Sequence, residues 1–260
     1  MQLKPLLPSQ ALDLAYRRQK VARPTLTAFE QARQQLLTEL DAQQDEADIA
    51  EPLRRFLRAV GFGNFINSRK KRDLVLHGGP AATDPLAIIF ELKHRKNKGE
   101  MVRRDDLNRK ALHELLLYYF QERTSEQQAL ELRQLVITTG YEWFIFDAHE
   151  FHRVFWKNTE LRAFFQKHQQ GQTTAGDTAF FYQTVKELLE KNAAEIRFTH
   201  LDLDVRDEQG QRREPGERAL LWLSKVFRPR TCSRSLLPRM PTPSTGPFMR
   251  SCSTSWGWRR

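Results

Sequence analysis

Residues 86–98, LAIIFELKHRKNK, combine the pattern of a buried strand with an abrupt change to charged side chains. The first seven residues are almost continuously apolar, which is typical of a central strand covered on both faces. Side chains alternate along a strand, so Glu91 and Lys93 share one face while Leu92 lies on the other. An acid and a base at the end of such a strand indicate a functional site, and the alternative is an ordinary ion pair at the surface.

The segments on either side of this strand predict an α/β fold. Helical periodicity predicts helices over residues 9–20, 27–43 and 48–60, followed by a short strand over 73–77. Beyond the central strand, the pattern predicts a helix over 104–123, strands over 134–139 and 142–147, helices over 148–168 and 177–193, and a strand over 195–203. This order favours a mixed β-sheet flanked by helices.

Composition excludes several classes of protein. The chain has 260 residues, 40% hydrophobic and 28% charged, as expected for a globular protein. No apolar run is long enough to span a membrane, and the first residues do not resemble a secretory signal. The two cysteines, Cys232 and Cys252, do not predict a disulfide framework or a zinc site. We therefore expect a cytoplasmic protein with no membrane partner.

The net charge of +10 is unevenly distributed. Residues 227–260 hold seven Arg and no acid, which leaves 35 basic and 32 acidic residues, or +3, for residues 1–226. Clustered basic residues bind phosphates better than a total charge suggests, although a solvated charged face is the alternative. The side chains that we expect at the backbone of DNA are Arg69, Lys70, Lys71, His94, Arg95, Lys96 and Lys98.

The composition changes at about residue 227. Residues 227–260 hold five of the twelve prolines and show no helical or strand periodicity. One interpretation is a basic disordered tail. The other is a frameshift, because codons for the last residues, RSCSTSWGWRR, can be chosen so that the next frame reads ELLYILGLEE, an amphipathic sequence.

Asp73, Glu91 and Lys93 form the set that carries chemistry. Asp73 begins the strand before the central one, so its carboxylate and that of Glu91 converge if the two strands are neighbours. Two close carboxylates repel each other unless a cation joins them, and oxygen ligands favour Mg²⁺. Such an ion would polarise a phosphodiester, while Lys93 would orient water or stabilise developing charge.

This arrangement resembles the PD-(D/E)xK nuclease superfamily, although Arg72 replaces the usual proline before Asp73. The resemblance implies a restriction-endonuclease-like fold with catalytic Asp73, Glu91 and Lys93, of which Asp73 and Glu91 hold the metal. Related nucleases often carry Gln-x-x-x-Tyr on the next helix, where this chain has Glu114 and Tyr118. These two are expected to support the site, as is Glu51 on the preceding helix.

Residues 1–226 more specifically resemble the amino-terminal region of type IIG (Eco57I-like) restriction-modification enzymes. The stretches that carry the likeness include RDLVLHGG, AIIFELKHRKNKGEM, LNRKALHELLLYYFQER and LVITTGYEWFIFDAHEF. The resemblance implies helical additions at both ends of the nuclease core. The segments expected are an N-terminal helical segment (1–47), a nuclease core (48–157), a helical extension with a final strand (158–226) and a frameshifted or disordered tail (227–260).

In such enzymes an adenine-specific DNA methyltransferase follows the nuclease, and its Asn-Pro-Pro-Tyr element and glycine-rich loop are missing from this sequence. S-adenosylmethionine would therefore serve only the missing part. The sequence predicts a Mg²⁺-dependent endonuclease domain of a truncated restriction-modification enzyme, acting on double-stranded DNA and forming a homodimer for double-strand cleavage. The alternatives are a non-catalytic DNA-binding fragment of the same system and a general interaction protein.

Overall fold

A mixed β-sheet lies at the centre of the chain. The structure is a computed structural model that describes residues 1–63, 66–69, 72–79, 81, 84–124, 132–170 and 178–228, with backbone alone at 67–69, 72–73 and 178–179. Within these residues the sheet has seven strands in the order β1-β7-β6-β5-β4-β3-β2. They are β1 (Gln2–Leu6), β2 (Ile66–Arg69), β3 (Arg72–His77), β4 (Leu86–Leu92), β5 (Gln134–Thr138), β6 (Glu142–Asp147) and β7 (Glu195–Asp202).

The pair β4–β5 is parallel at the centre of the sheet, and β1–β7 is parallel at one edge. The four other pairs are antiparallel. All seven residues of β4 are buried, as its apolar run predicts. The α/β fold with a mixed sheet is therefore confirmed.

Helices cover both faces of the sheet and bury two separate apolar clusters. One face packs against helices α2, α3, α4 and α9, and the other against α5, α6, α7 and α8. The bounds are α1 (Pro8–Ala11), α2 (Leu14–Arg18), α3 (Arg23–Asp41), α4 (Ala50–Leu57), α5 (Lys110–Thr124), α6 (Ala148–Phe151), α7 (Thr159–Gln169), α8 (Thr178–Lys191) and α9 (Glu217–Val226). A 3₁₀ turn (Glu46–Ile49) precedes α4, and π-helical turns follow α4 (Arg58–Phe62) and α6 (His152–Trp156).

Several elements differ from the sequence-based expectations. The helix expected over 9–20 is two short helices, because the Asp13 carboxylate caps the second by accepting from the Tyr16 amide. The helix expected from residue 104 begins at Lys110, since Arg103 and Asp106 pair as an antiparallel bridge before it. Strands β1 and β2 and helix α9 were not predicted, and β1 and β2 are short edge strands whose pattern alone is weak.

The sheet takes strands from each of the three segments expected before residue 227. Strand β1 belongs to the expected N-terminal segment and β7 to the expected extension, yet the two pair with each other. Phe227, where the composition changes, is still part of the core, with its ring 4.7 Å from that of Trp143. The expected tail beyond Arg228 lies outside the described residues.

The β5–β6 hairpin fixes how closely α3 approaches the end of the sheet. Gly140 in its turn has φ +82°, and a Cβ there would lie 2.5 Å from Leu40 Cδ1. Glycine alone satisfies both demands without strain. The neighbouring Thr138 carbonyl accepts from the Lys93 amide at 3.0 Å, so this hairpin borders the end of β4 that carries Lys93.

No helix in the described parts of the chain is both long and apolar enough to cross a membrane.

Candidate active site

The end of β4 brings Glu91 and Lys93 together. Ile89 packs in the apolar cluster beneath α5, and strand alternation places Glu91 and Lys93 on that same face. Phe90 belongs to the opposite cluster. Glu91 is 2% exposed and Lys93 is 3% exposed, and the Lys93 Nζ lies 2.6 Å from Glu91 Oε1. The sequence-based pairing of these two side chains is therefore observed, and the pair is buried rather than solvated.

Helix α5 contributes the carboxylate of Glu114 to this pair. Glu114 Oε2 lies 2.8 Å from the Lys93 Nζ. Burial raises the pKa of Glu114, but the neighbouring Lys93 ammonium lowers it, and the net shift is downward. The helical position predicted for Glu114 is thus at the site.

Two further acids approach the same ammonium group from other segments. The Lys93 Nζ lies 3.4 Å from Glu46 Oε1 and 4.0 Å from Glu100 Oε2. Burial lowers the pKa of Lys93, but Glu91 and Glu114 raise it by a larger amount, so the net shift of the pKa is upward. Lys110 Nζ lies 2.9 Å from Glu100 Oε1. We call these six residues the Lys93 cluster: Glu46, Glu91, Lys93, Glu100, Lys110 and Glu114.

The Lys93 cluster holds four acids and two bases, so it carries an excess of negative charge when its members are ionised. Its carboxylates are oxygen donors, which suit a hard cation such as Mg²⁺. Among the side chains that the structure describes, no group of three or more His, Cys, Asp or Glu could hold a metal ion. The side chain of Asp73 is not one of those described. Glu91 is the one predicted metal ligand whose side chain the structure describes.

Residue 73 lies on the strand next to Glu91. Strands β3 and β4 are antiparallel neighbours, and Leu74 is paired with Phe90. Residue 73 precedes Leu74 and Glu91 follows Phe90, so both backbones lie one residue beyond this pair at the same end of the sheet. The neighbouring strands that the metal hypothesis requires are present, while the Asp73 side chain lies outside the described part.

The other two predicted supporting residues, Glu51 and Tyr118, lie in different surroundings. Glu51 does not join the Lys93 cluster, because it forms surface ion pairs with Arg54, Arg55 and Arg58 at 3.2 to 3.9 Å. Glu46, at the start of the 3₁₀ turn before α4, contacts Lys93 instead. Tyr118 is half-buried against the apolar cluster on the α5 side of the sheet.

The basic residues after β4 fall into two groups. His94 is 7% exposed and its Nδ1 accepts from the Lys96 amide, so His94 is a buried residue of the turn, and its contact with DNA stays a prediction. Arg95 lies over the Tyr141 ring at 4.2 Å, while Lys96 and Lys98 are exposed. Lys70 and Lys71, and the side chain of Arg69, lie outside the described residues.

Sequence reasoning missed two side chains of the site. Glu46 also accepts hydrogen bonds from the His94 amide at 3.1 Å and from Asn97 Nδ2 at 2.9 Å. Tyr182 on α8 donates from its hydroxyl to Glu114 Oε1 at 2.9 Å. An acidic stretch before α4 was the only signal for Glu46. No spacing or motif connects Tyr182 to Glu114, 68 residues away.

A buried histidine, His113, lies beside the Lys93 cluster and is uncharged at pH 7. His113 Nε2 lies 2.8 Å from Asn108 Oδ1, and the ring stacks on that of Tyr182. Burial lowers the pKa of His113 to about 4. The imidazole is therefore neutral at pH 7 and packs beside the site.

A protein-family model matches most of the length of the chain. The model of the family described as Domain of unknown function (DUF7149) matches residues 6–235, so the chain belongs to this family. Comparisons with curated proteins and with solved structures give no match.

Proposed function

We propose that this member of the DUF7149 family is a Mg²⁺-dependent DNA endonuclease domain of the type IIG restriction-modification kind. The single observation that carries the proposal is the buried Glu91–Lys93 pair, with Glu114 within 2.8 Å of the same ammonium group. A cytoplasmic location agrees with this role.

The energetics of burial argue against a purely structural ion pair. One acid and one base satisfy each other, and even then the cost of desolvation cancels most of the attraction. Here Glu91 and Glu114 share one ammonium, and Glu46 and Glu100 add further negative charge within 4.0 Å. A surplus of carboxylates at a sheet end is costly to retain for stability alone, and it is chemically suited to a divalent cation.

Asp73 and Glu91 are the residues that would hold the ion. When bound, Mg²⁺ polarises a phosphodiester and lowers the pKa of a coordinated water. Lys93 supplies a fixed positive charge beside Glu91, where it would stabilise negative charge that develops on the phosphorus oxygens. Glu114 would hold Lys93 in place through their ion pair, in which Oε2 and Nζ are 2.8 Å apart.

Exposed basic side chains after β4 supply the contacts to DNA. Arg95, Lys96 and Lys98 are exposed on the turn that follows Lys93. Such contacts position the duplex without reading its sequence. The partner is double-stranded DNA, and a homodimer would place two such sites on opposite strands.

A non-catalytic DNA-binding role is the second candidate, and one observation favours it. The Lys93 ammonium already lies within 2.8 Å of both Glu91 and Glu114, and the described side chains alone offer no group of three metal ligands. In this alternative the exposed basic turn binds DNA and no bond is cleaved.

The test is nicking of supercoiled plasmid by the purified chain with Mg²⁺, beside Glu91→Ala and the surface variant Glu51→Ala. We expect Glu91→Ala to lose roughly a hundredfold or more in rate, because it removes a metal ligand, and Glu51→Ala to stay within about twofold. We expect chelation by EDTA to abolish nicking in the wild-type chain. Equal nicking by wild-type and Glu91→Ala chains would indicate a contaminant and refute the proposal, while DNA binding without nicking would favour the second candidate.

A further inference from the structure

Tyr182 ties the C-terminal extension to the candidate active site. Helix α8 packs beside α5, and the Tyr182 hydroxyl donates to Glu114 Oε1 at 2.9 Å. The other oxygen of the same carboxylate, Oε2, lies 2.8 Å from the Lys93 Nζ. One carboxylate therefore connects a tyrosine of the extension to the buried ammonium.

The ring of Tyr182 is itself held on several sides. It stacks on His113 with centroids 6.1 Å apart and planes at 27°, and Lys110 Nζ lies 5.7 Å from its centroid. His113 is in turn bonded to Asn108, whose amide donates to the Lys186 carbonyl on α8 at 3.0 Å. The hydroxyl is thus fixed in position before it meets Glu114, and little rotamer entropy is lost in forming the bond.

We propose that Tyr182 is a positioning residue, whose hydroxyl holds Glu114 so that the carboxylate fixes Lys93 against Glu91. The inference rests on the proposed nuclease function and deepens it. Tyr182 is the described hydrogen-bond donor to Glu114 Oε1. The nearest cation to this oxygen among the described contacts is the Lys110 Nζ, at 4.0 Å. Without the hydroxyl, the carboxylate can rotate about its last bond, and Lys93 loses its fixed orientation.

The first test compares Tyr182→Phe with Tyr16→Phe. The control removes a hydroxyl in the same way, but from a buried ring that donates to the Lys225 carbonyl, away from the site. We expect Tyr182→Phe to reduce the maximal nicking rate roughly tenfold, with the apparent KM for plasmid within about twofold of wild type, since misalignment affects the reacting groups rather than DNA binding. Tyr16→Phe keeps both constants. A wild-type rate in Tyr182→Phe overturns the inference.

The second test asks whether Tyr182 acts through Glu114. In the Glu114→Gln background, Tyr182→Phe should cause no further loss of nicking rate, because the carboxylate that it positions is already gone. Losses that multiply independently would mean that Tyr182 acts by another route, which contradicts the inference.

A third measurement separates failure of this inference from failure of the proposed function. The four chains of this cycle are wild type, Tyr182→Phe, Glu114→Gln and the double variant. Their free energies of unfolding in urea, without Mg²⁺ or DNA, report the coupling between Tyr182 and Glu114 independently of catalysis. Absence of coupling overturns the inference even if the wild-type chain nicks DNA. If Tyr182 and Glu114 are coupled but Glu91→Ala does not change nicking, the proposed function has failed. The role of Tyr182 in catalysis then fails with it, although the contact between Tyr182 and Glu114 is real.

Discussion

Two buried lysines in this protein have opposite surroundings. Lys93 is 3% exposed and Lys225 is 1% exposed. Lys225 on α9 donates to three backbone carbonyls at the end of α2, those of Tyr16, Arg17 and Gln19, at 3.1, 2.8 and 2.6 Å. Lys93 instead meets carboxylates that come from four separate segments of the chain.

The difference lies between a charge that is matched by neutral acceptors and a charge that is surrounded by an excess of acid. The carbonyls at a helix C-terminus carry partial negative charge, so Lys225 stabilises that end and joins α2 to α9 with neutral acceptors. The rings of Tyr16 and Trp222, 5.4 and 5.3 Å from its Nζ, complete the surroundings. Lys93 has more acid around it than one charge can neutralise, and an arrangement that costs stability calls for a function.

The largest expected effect is that of Lys93→Met, which keeps the stem of the side chain and removes the charge. Glu91 and Glu114 are left buried and facing each other, so we expect a loss of about 3–5 kcal/mol in the free energy of unfolding at pH 7. We also expect a loss of roughly a hundredfold or more in nicking rate. Urea unfolding and the plasmid assay measure the two quantities, and a folded Lys93→Met chain with more than about a tenth of the wild-type rate would contradict the assignment.

Lys225→Met makes the same chemical change at the other buried lysine. It leaves the carbonyls at the end of α2 without their donor, and we expect a loss of about 1–3 kcal/mol in the free energy of unfolding. The nicking rate per folded molecule should stay within about twofold of wild type, because the described hydrogen bonds of Lys225 go to the end of α2. A large loss of activity in the folded variant would remove the distinction between the two lysines.

The burial of His113 beside the Lys93 cluster should make the free energy of unfolding depend on pH. Its pKa is lowered to about 4 in the folded chain from an ordinary value of 6.5, so the unfolded chain binds the proton first as pH falls. Stability should therefore decrease between about pH 6.5 and 4, by up to ~3 kcal/mol from this group. His113→Gln should lose less stability over that window in urea unfolding, and parallel pH curves for the two chains would contradict the interpretation.

The smallest expected effect distinguishes the acid found at the site from the acid expected there. Glu46→Gln weakens the contacts to Lys93, the His94 amide and Asn97, and we expect the nicking rate to fall roughly fivefold. Glu51→Gln changes only exposed ion pairs on α4 and should stay within about twofold. The plasmid assay with matched amounts of each chain decides, and equal rates for the two variants would mean that Glu46 is dispensable.

Local sequence predicted the parts of the site that lie on one element. Strand alternation placed Glu91 and Lys93 on one face, and the apolar run of β4 correctly indicated a central strand. The helix that carries Glu114 was predicted, although it begins at Lys110 because a bridge between Arg103 and Asp106 precedes it. Edge strands β1 and β2 were missed, since their short segments depend on partners distant in sequence.

The sequence by itself determined the α/β class, the central strand and the acid–base pair at its end, because these follow from periodicity within a single segment. Only the tertiary structure decided that Glu46 rather than Glu51 reaches Lys93, that His94 is buried, and that Tyr182 meets Glu114. Those contacts join residues from 46 to 182, and the approach of separate helices to one sheet end is set by packing of both apolar clusters. No local sequence pattern encodes how closely these helices approach the sheet, because that approach depends on many packing contacts at once.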